Sequence, residues 1–288
     1  MLIDTHCHWD APEFADAGGH LRAQAQARGV KLCVVPAVQV SNFESVRRWA
    51  HTYGDAYALG IHPLFALDAT EAHLSQLDQA LGDLAGDPRL VAVGEIGIDG
   101  FVPWLQTPDA TVKMHAIYRA QLRLARKHQL PVILHVRKSA DALLKHLREL
   151  PVVGGIGHAF NGSVQQAQAF VRMGFVLGFG GTATFETAVR VRRLAATLNH
   201  TDLVIETDGP DIPPHWIYAT ELQRSAGVAQ GLNSSVHLPA IAQVVANLRG
   251  VHVALLAAQT CANAKRVLPK LDALIDTSLC SRSAHAGE

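Results

Sequence analysis

The sequence predicts an α/β fold of the (β/α)8 TIM-like barrel type, of the kind found in metallo-dependent hydrolases, with one domain over residues 1–271. Three observations carry that expectation. Eight short apolar runs alternate with stretches of helical spacing over most of a 288-residue chain, the size and rhythm of one closed parallel barrel. Six metal-type side chains stand where these runs end: His6, His8, Glu95, His135, His158 and Asp208. The first run leads into His6-Cys7-His8, where an open doubly wound sheet would carry a glycine-rich phosphate loop.

In chain order, strands are expected near 2–8, 31–36, 56–61, 90–96, 131–136, 152–158, 174–178 and 203–207. Gly29 and Gly174 precede the second and seventh, at helix C-terminal positions that call for a left-handed residue. Ser41-Asn42-Phe43-Glu44 and Ser163-Val164-Gln165-Gln166 have the form of capping boxes that open helices. The third strand ends in Gly60-Ile61-His62-Pro63, the fourth in Gly94-Glu95, the fifth in Leu134-His135, the sixth in Gly157-His158 and the eighth in Glu206-Thr207-Asp208. No internal repeat or low-complexity linker divides the chain. From Asp272 to Glu288 the pattern is lost and residues turn small and polar, so residues 272–288 are expected to form a frayed tail with His285 in solvent.

Composition narrows the function. Apolar residues make up 49% of the chain, enough for a sizeable core. No run of eighteen apolar residues suggests a membrane span, and no signal peptide is expected, because the chain enters a strand at once. Four scattered cysteines suit a reducing cytosol, so the expected location is cytoplasmic. A net charge of zero and a pI near 7.3 argue against a protein that coats duplex DNA. Any nucleic acid would be handled in a small pocket, at an end or on a single strand. No obligate protein partner is evident.

His6 and His8 are two apart on a strand, so alternation turns both toward the barrel axis and Cys7 toward the helices. Two imidazoles so placed can share a metal, although an HxH pair can also be two unrelated polar residues. Glu95 follows a run buried on both faces, where a lone carboxylate is costly unless paired or coordinated. It could bridge two cations, or form a salt bridge across the barrel. His135 and His158 would complete a second site, and each alone could be a satisfied core histidine. Asp208 could touch a metal and accept a proton from the attacking water, which makes it the candidate general base. The competing reading is a turn aspartate in Asp208-Gly209-Pro210. His62 and Arg137 are candidate substrate contacts, the guanidinium suiting a phosphate oxygen. Lys138 reads equally as a solvated turn. Trp104 and Trp216 could stack on a base, with loop packing as the default.

At these residues the chain resembles the TatD-type metal-dependent deoxyribonuclease family of the amidohydrolase-like barrels. The likeness runs from Ile3 to about Val267. It is carried by Asp4-Thr5-His6-Cys7-His8, Gly60-Ile61-His62-Pro63, Gly94-Glu95-Ile96-Gly97-Ile98-Asp99, Leu130 to Arg137, His158-Ala159-Phe160-Asn161-Gly162 and Glu206-Thr207-Asp208-Gly209-Pro210. It implies a TIM-like barrel holding two divalent cations, of zinc, magnesium or manganese, and hydrolysis of phosphodiester bonds, 3′ to 5′ on single-stranded DNA or RNA ends. It further implies one cation held by His6, His8, Glu95 and Asp208, and another by Glu95, His135 and His158. Two departures stand out. Gly100 occupies a position that is often aromatic, and Leu232-Asn233-Ser234-Ser235 replaces an Arg-Asn-Glu-Pro-like segment. The latter change is expected to alter substrate contacts more than metal binding.

The expected activity is therefore metal-dependent hydrolysis at nucleic-acid ends, with Asp208 and Glu95 as catalytic residues. The same site on a small amide, lactone or ester is the alternative, since imidazole ligands favour zinc. A catalytically silent binding or scaffold barrel is the reading from outside enzymology.

Overall fold

The computed structural model describes residues 1–280, with side chains through Ile275. Its eight strands form one sheet in sequential order, every neighbouring pair parallel. They are β1 (Leu2–Asp4), β2 (Val30–Pro36), β3 (Ala56–Leu59), β4 (Leu90–Asp99), β5 (Val132–Arg137), β6 (Gly155–His158), β7 (Phe175–Phe179) and β8 (Leu203–Ile205). Residues just beyond β1 and β8 draw the ring together: Thr5 N–H donates to Ile205 O at 3.3 Å, Asp208 N–H to His6 O at 2.8 Å and His8 N–H to Gly209 O at 2.7 Å. The expected barrel is thus the observed one. The first and last strands are shorter than expected because their final residues leave the ladder to present side chains.

Helices α1 (Gly18–Ala27), α2 (Phe43–Tyr53), α3 (Glu71–Asp83), α4 (Pro108–Lys127), α5 (Ala140–Glu149), α6 (Val164–Arg172) and α7 (Val189–Thr197) follow β1 to β7 in turn. After β8 come α8 (Glu221–Ser225), α9 (Leu238–Arg249), α10 (Val253–Val267) and α11 (Leu271–Cys280). Among the described residues no single helix is long and apolar enough to cross a membrane. The Ser163 box forms as expected, Ser163 Oγ accepting from Gln166 N–H at 3.1 Å and Gln166 Oε1 from Ser163 N–H at 2.8 Å. The Ser41 box does not. Asn42 Oδ1 accepts instead from Val38 and Gln39 N–H, both at 3.1 Å, because a 3-10 turn at Val40–Asn42 precedes α2. Gly29 and Gly174 adopt φ of 95° and 86° behind their helices, as their positions require.

Strand alternation sorts the core into two layers. Leu32, Val34, Ala58, Ile133, Ile156, Val176 and Val204 fill the ring. Cys33, Val35, Leu59, Leu134, Leu177 and Ile205 face the helices, packing with Val46, Leu77, Tyr118, Leu143 and Phe170. A buried ion pair secures one side. The Arg22 guanidinium donates to both Asp55 oxygens at 2.8 and 2.6 Å and to Val30 O at 3.2 Å, tying α1 to the start of β2 and β3.

The tail expectation is corrected for 272–280, which forms most of α11. Leu271, Leu274 and Ile275 join the inner cluster with Val267 and Leu268. Asn263 donates to His200 and Leu203 carbonyls, and Lys270 to those of Ala85 and Asp87, so α10 and the α11 junction sit at the entry ends of β8 and β4. Leu268, Leu271, Leu274 and Ile275 do keep the three- and four-residue spacing of a helix, but the small polar residues that follow them mask that signal in the sequence. His285 lies outside the described residues.

Candidate active site

The inner layer continues toward the strand exits, where its apolar residues give way to polar ones. His135 is two residues beyond Ile133, His158 two beyond Ile156 and Glu206 two beyond Val204, so each inherits the inward face. Glu95 arrives differently. The β4–β5 register shifts between Val93 and Ile96, and a bulge of this kind re-aims a side chain.

Glu95, 1% exposed, stands at the centre. Its Oε2 lies 3.1 Å from His6 Nε2 and 3.5 Å from His8 Nε2. Its Oε1 lies 2.9 Å from His135 Nδ1, 3.5 Å from His158 Nε2 and 3.6 Å from His62 Nε2. Asp208 Oδ1 completes the first side, 3.5 Å from His6 Nε2 and 3.7 Å from His8 Nε2. Its Oδ2 looks toward His158 Nε2 at 3.8 Å. The rings of His6 and His158 stack with centroids 3.7 Å apart. All six residues read as ligands from the sequence therefore converge. His62 joins them more closely than a substrate contact required, with Nε2 3.0 Å from His135 Nδ1.

The far nitrogens of three rings reveal their tautomers. His8 Nδ1 meets the Pro36 carbonyl at 3.2 Å, His158 Nδ1 meets Glu206 Oε1 at 3.1 Å, and His135 Nε2 meets Asp99 Oδ2 at 3.1 Å. Each partner only accepts, so each of these nitrogens carries its ring's proton. The opposite nitrogen of the neutral ring then presents a lone pair to Glu95 or Asp208. Lone pairs facing carboxylate oxygens repel unless a cation or additional protons lie between them. Imidazole and carboxylate are the donor set of divalent transition metals, and two groups of such atoms flank Glu95: His6, His8 and Asp208 on one side, His62 and His135 on the other, with His6 and His158 also meeting around its carboxylate.

Where no cation lies between them, the carboxylates draw protons onto two of these rings. Burial lowers His8 and His158, but the surrounding carboxylates outweigh it and raise them to about 9 and about 10. Burial holds His6 well below its usual value and His62 down at about 4. Burial also raises Asp208 to about 7, against the pull of His158 and His8. Asp99 goes the other way. Burial would raise it, yet hydrogen bonds from His135, Val102 and Phe101 bring it to about 2.

Two supporting carboxylates escaped sequence reasoning, although both stand in segments quoted above. Asp99 accepts Phe101 and Val102 N–H at 2.7 and 2.8 Å while it orients His135. Glu206 accepts Ala159 N–H at 2.6 Å while it orients His158. The available signal was a fully buried acid at an inward strand position. A third, Asp4, accepts from Thr207 and Ser235 hydroxyls, both at 2.6 Å, and so holds the loop after β8. Ser235 belongs to the departing segment Leu232-Asn233-Ser234-Ser235. That segment is not a rim feature beyond Leu232. Asn233 is fully buried and donates to Thr207 and Asp211 carbonyls at 2.7 and 2.6 Å. Asp208 itself adopts φ 59°, a left-handed turn conformation that an aspartate tolerates. It is therefore both a turn residue and a member of the cluster.

These side chains open into a cavity of about 340 Å3, also lined by Arg137, Asn161, Thr182 and Asp211. Arg137 stands at its rim, 46% exposed, with its guanidinium 4.1 Å over the Phe101 ring and 3.7 Å from Asp99 Oδ2. Gly100 is explained here: a Cβ would meet the Lys138 carbonyl oxygen at 2.4 Å, and the rim aromatic comes one residue later as Phe101. Trp104 and Trp216 do not line this cavity. Trp104 is 61% exposed, and Trp216 packs against His215 and His237.

The chain is similar to proteins named as metal-dependent hydrolases. An uncharacterized metal-dependent hydrolase of Escherichia coli, YjjV, is 42% identical over 216 residues, covering 74% of this chain and 80% of that protein. The crystal structure of the same TatD homologue superposes with a TM-score of 0.82 at 33% identity, covering 93% of this chain and 98% of that one. The 3′-5′ ssDNA/RNA exonuclease TatD of Shigella flexneri is 28% identical over 270 residues, covering 92% and 97%. The sequence profile of the TatD related DNase family matches residues 3–269, and the chain belongs to that family.

Proposed function

We propose that this protein is a metal-dependent phosphodiesterase that removes nucleotides from the 3′ ends of single-stranded DNA or RNA. The observation that carries it is the double face of Glu95: each carboxylate oxygen faces its own set of imidazole nitrogens, which supports a reading with two cations beside one shared acid. His6, His8, Glu95 and Asp208 would hold one, and Glu95, His135 and His158 the other. Zinc, magnesium or manganese would supply Lewis acidity for a phosphoryl oxygen and favour ionisation of the attacking water. Asp208, which lines the cavity beside the cluster, would accept that water's proton. Glu206 and Asp99 keep the rings of His158 and His135 fixed. Arg137 takes a non-bridging phosphate oxygen at the rim, and His62 closes the floor beneath it. The cavity admits a terminal nucleotide but no duplex, in keeping with the neutral overall charge. Three buried free thiols, Cys7, Cys33 and Cys261, suit a cytoplasmic location.

The test combines metal analysis of the purified protein with a 5′-labelled single strand in Mg2+, Mn2+ or Zn2+. Stepwise shortening from the 3′ end, dependent on added cation, is expected. No shortening with any cation, together with turnover of a lactone or amide panel, would replace the polymer with a small-molecule substrate.

A further inference from the structure

The exits of the strands are electrically lopsided. The loops after β1, β2 and β3 carry Asp10, Glu13, Asp16 and Asp68 and no lysine or arginine. The end of β5, the turn after it and the start of α7 carry Arg137, Lys138 and Arg190, against one acid, Glu186, in the loop between β7 and α7. On that basic side a second cleft, of about 440 Å3, opens beside the catalytic cavity, and Val136 and Asn161 line both. Lys138, Arg190 and Gln166 are among its other walls. Lys138 is exposed, in a left-handed turn with φ 52°, and its Nζ lies 4.6 Å above the Phe101 ring. Phe101 is itself half exposed and shared with Arg137. Ser139, at the head of α5, accepts the Arg137 N–H at 3.2 Å and makes no side-chain cap to its own helix. One acid, Asp141, lines the cleft, and Gln166 Nε2 donates to it at 2.9 Å.

We infer that this cleft seats the phosphate next to the scissile one, so that a bound single strand leaves the catalytic cavity over the β5–β7 edge with Lys138 and Arg190 on its backbone. The inference rests on the phosphodiesterase reading above and gives it a direction across the barrel mouth. Two cations in a cleft continuous with the cavity neutralise one additional phosphate. The acidic β1–β3 side disfavours a strand leaving in that direction. Phe101, half exposed next to Arg137 and Lys138, offers ring surface against which a base of the strand can stack.

The experiment compares bis(p-nitrophenyl) phosphate, a dinucleotide and a ten-nucleotide strand on wild type, Lys138→Gln, Arg190→Gln and the double variant, at two salt concentrations. The double variant is expected to raise KM for the ten-nucleotide strand about tenfold with kcat within about twofold. Its salt slope should fall by roughly 0.7, the value for one phosphate on a single strand. Both small substrates should be unaffected. An unchanged KM for the long strand, or an equal loss on all three substrates, overturns the exit path. A wild-type protein that turns over none of the three with any cation overturns instead the phosphodiesterase reading on which the path depends.

Discussion

Replacing Glu206 by glutamine probes how far the cluster depends on residues outside it. The side chain is 1% exposed and accepts from His158 Nδ1 and Ala159 N–H at 3.1 and 2.6 Å. Space around it is tight: a Cβ on Gly178 would sit 2.2 Å from Glu206 Oε2, so the isosteric amide is the change that fits. Its oxygen can keep both hydrogen bonds, with the NH2 turned to the Thr5 hydroxyl, which lies 3.4 Å from Oε2. What is lost is charge. A hydrogen bond to an ionised group contributes roughly 1.5–3 kcal/mol and a neutral one about 0.5–1.5, so the exchange costs about 1–1.5 kcal/mol, close to tenfold in an equilibrium constant. That cost falls on the basicity of His158 and thus on one cation. Titration against a fluorescent chelator should show one of two cations bound about tenfold more weakly and the other within about twofold of wild type. Glu206→Ala should do more, because it strips the acceptor from two buried donors at about 1–3 kcal/mol each, visible as a lower Tm. A glutamine variant that binds both cations as wild type does, or loses both equally, would refute the assignment of His158 to one side of Glu95.

Asp208→Asn keeps a residue that tolerates φ 59°, so the turn should hold; with cation supplied until measured stoichiometry matches wild type, kcat should still fall by about a hundred- to ten-thousand-fold, the usual range for a general base, and a near-wild-type rate would remove Asp208 from that role. Arg22→Met leaves the Asp55 carboxylate buried without its partner, and urea unfolding should show a loss of about 3–5 kcal/mol with kcat unchanged. Burial holds His146, and His115 beside it at 2.9 Å, below the usual 6.5. The unfolded chain therefore takes up protons first on acidification. The stability this pair contributes is complete above about pH 6.5 and fades as pH falls through the lowered folded values; a His146→Gln variant should flatten that part of a Tm-versus-pH curve, and an unaltered curve would dismiss the pair.

The barrel was legible because parallel strands buried on both faces read as unbroken apolar runs, and because Ile133 to His135 and Ile156 to His158 obey the two-residue period of a strand. His6 and His8 were legible by the same period, with Cys7 between them turned to the outer layer. Glu95 was found by its cost as a lone buried acid, although the bulge that aims it depends on β4–β5 register, which a linear pattern does not encode. Asp99 and Glu206 stood in plain view without a role, since an orienting carboxylate is defined by the ring it touches across a strand gap. The Ser235–Asp4 bond spans 231 residues of sequence, so no local signal announces that a departing segment supports the loop after β8. The Ser41 box failed for a smaller reason: Ser41 lies inside the 3-10 turn Val40–Asn42 that runs into α2, and the capping side chain is Asn42, which takes the Val38 and Gln39 amides ahead of that turn.

The ring closes where its first and last strands meet, and the side chains at that closure are His6 and His8 on one lip and Asp208 on the other. An ion shared by these three would act as a clasp across the seam. Stripping it would slacken the junction between chain beginning and chain end before any other part of the wall, with hydrogen exchange rising first at the Asp208 and His8 amides. A cation at this seam could be taken up only after residue 208 has joined the ring.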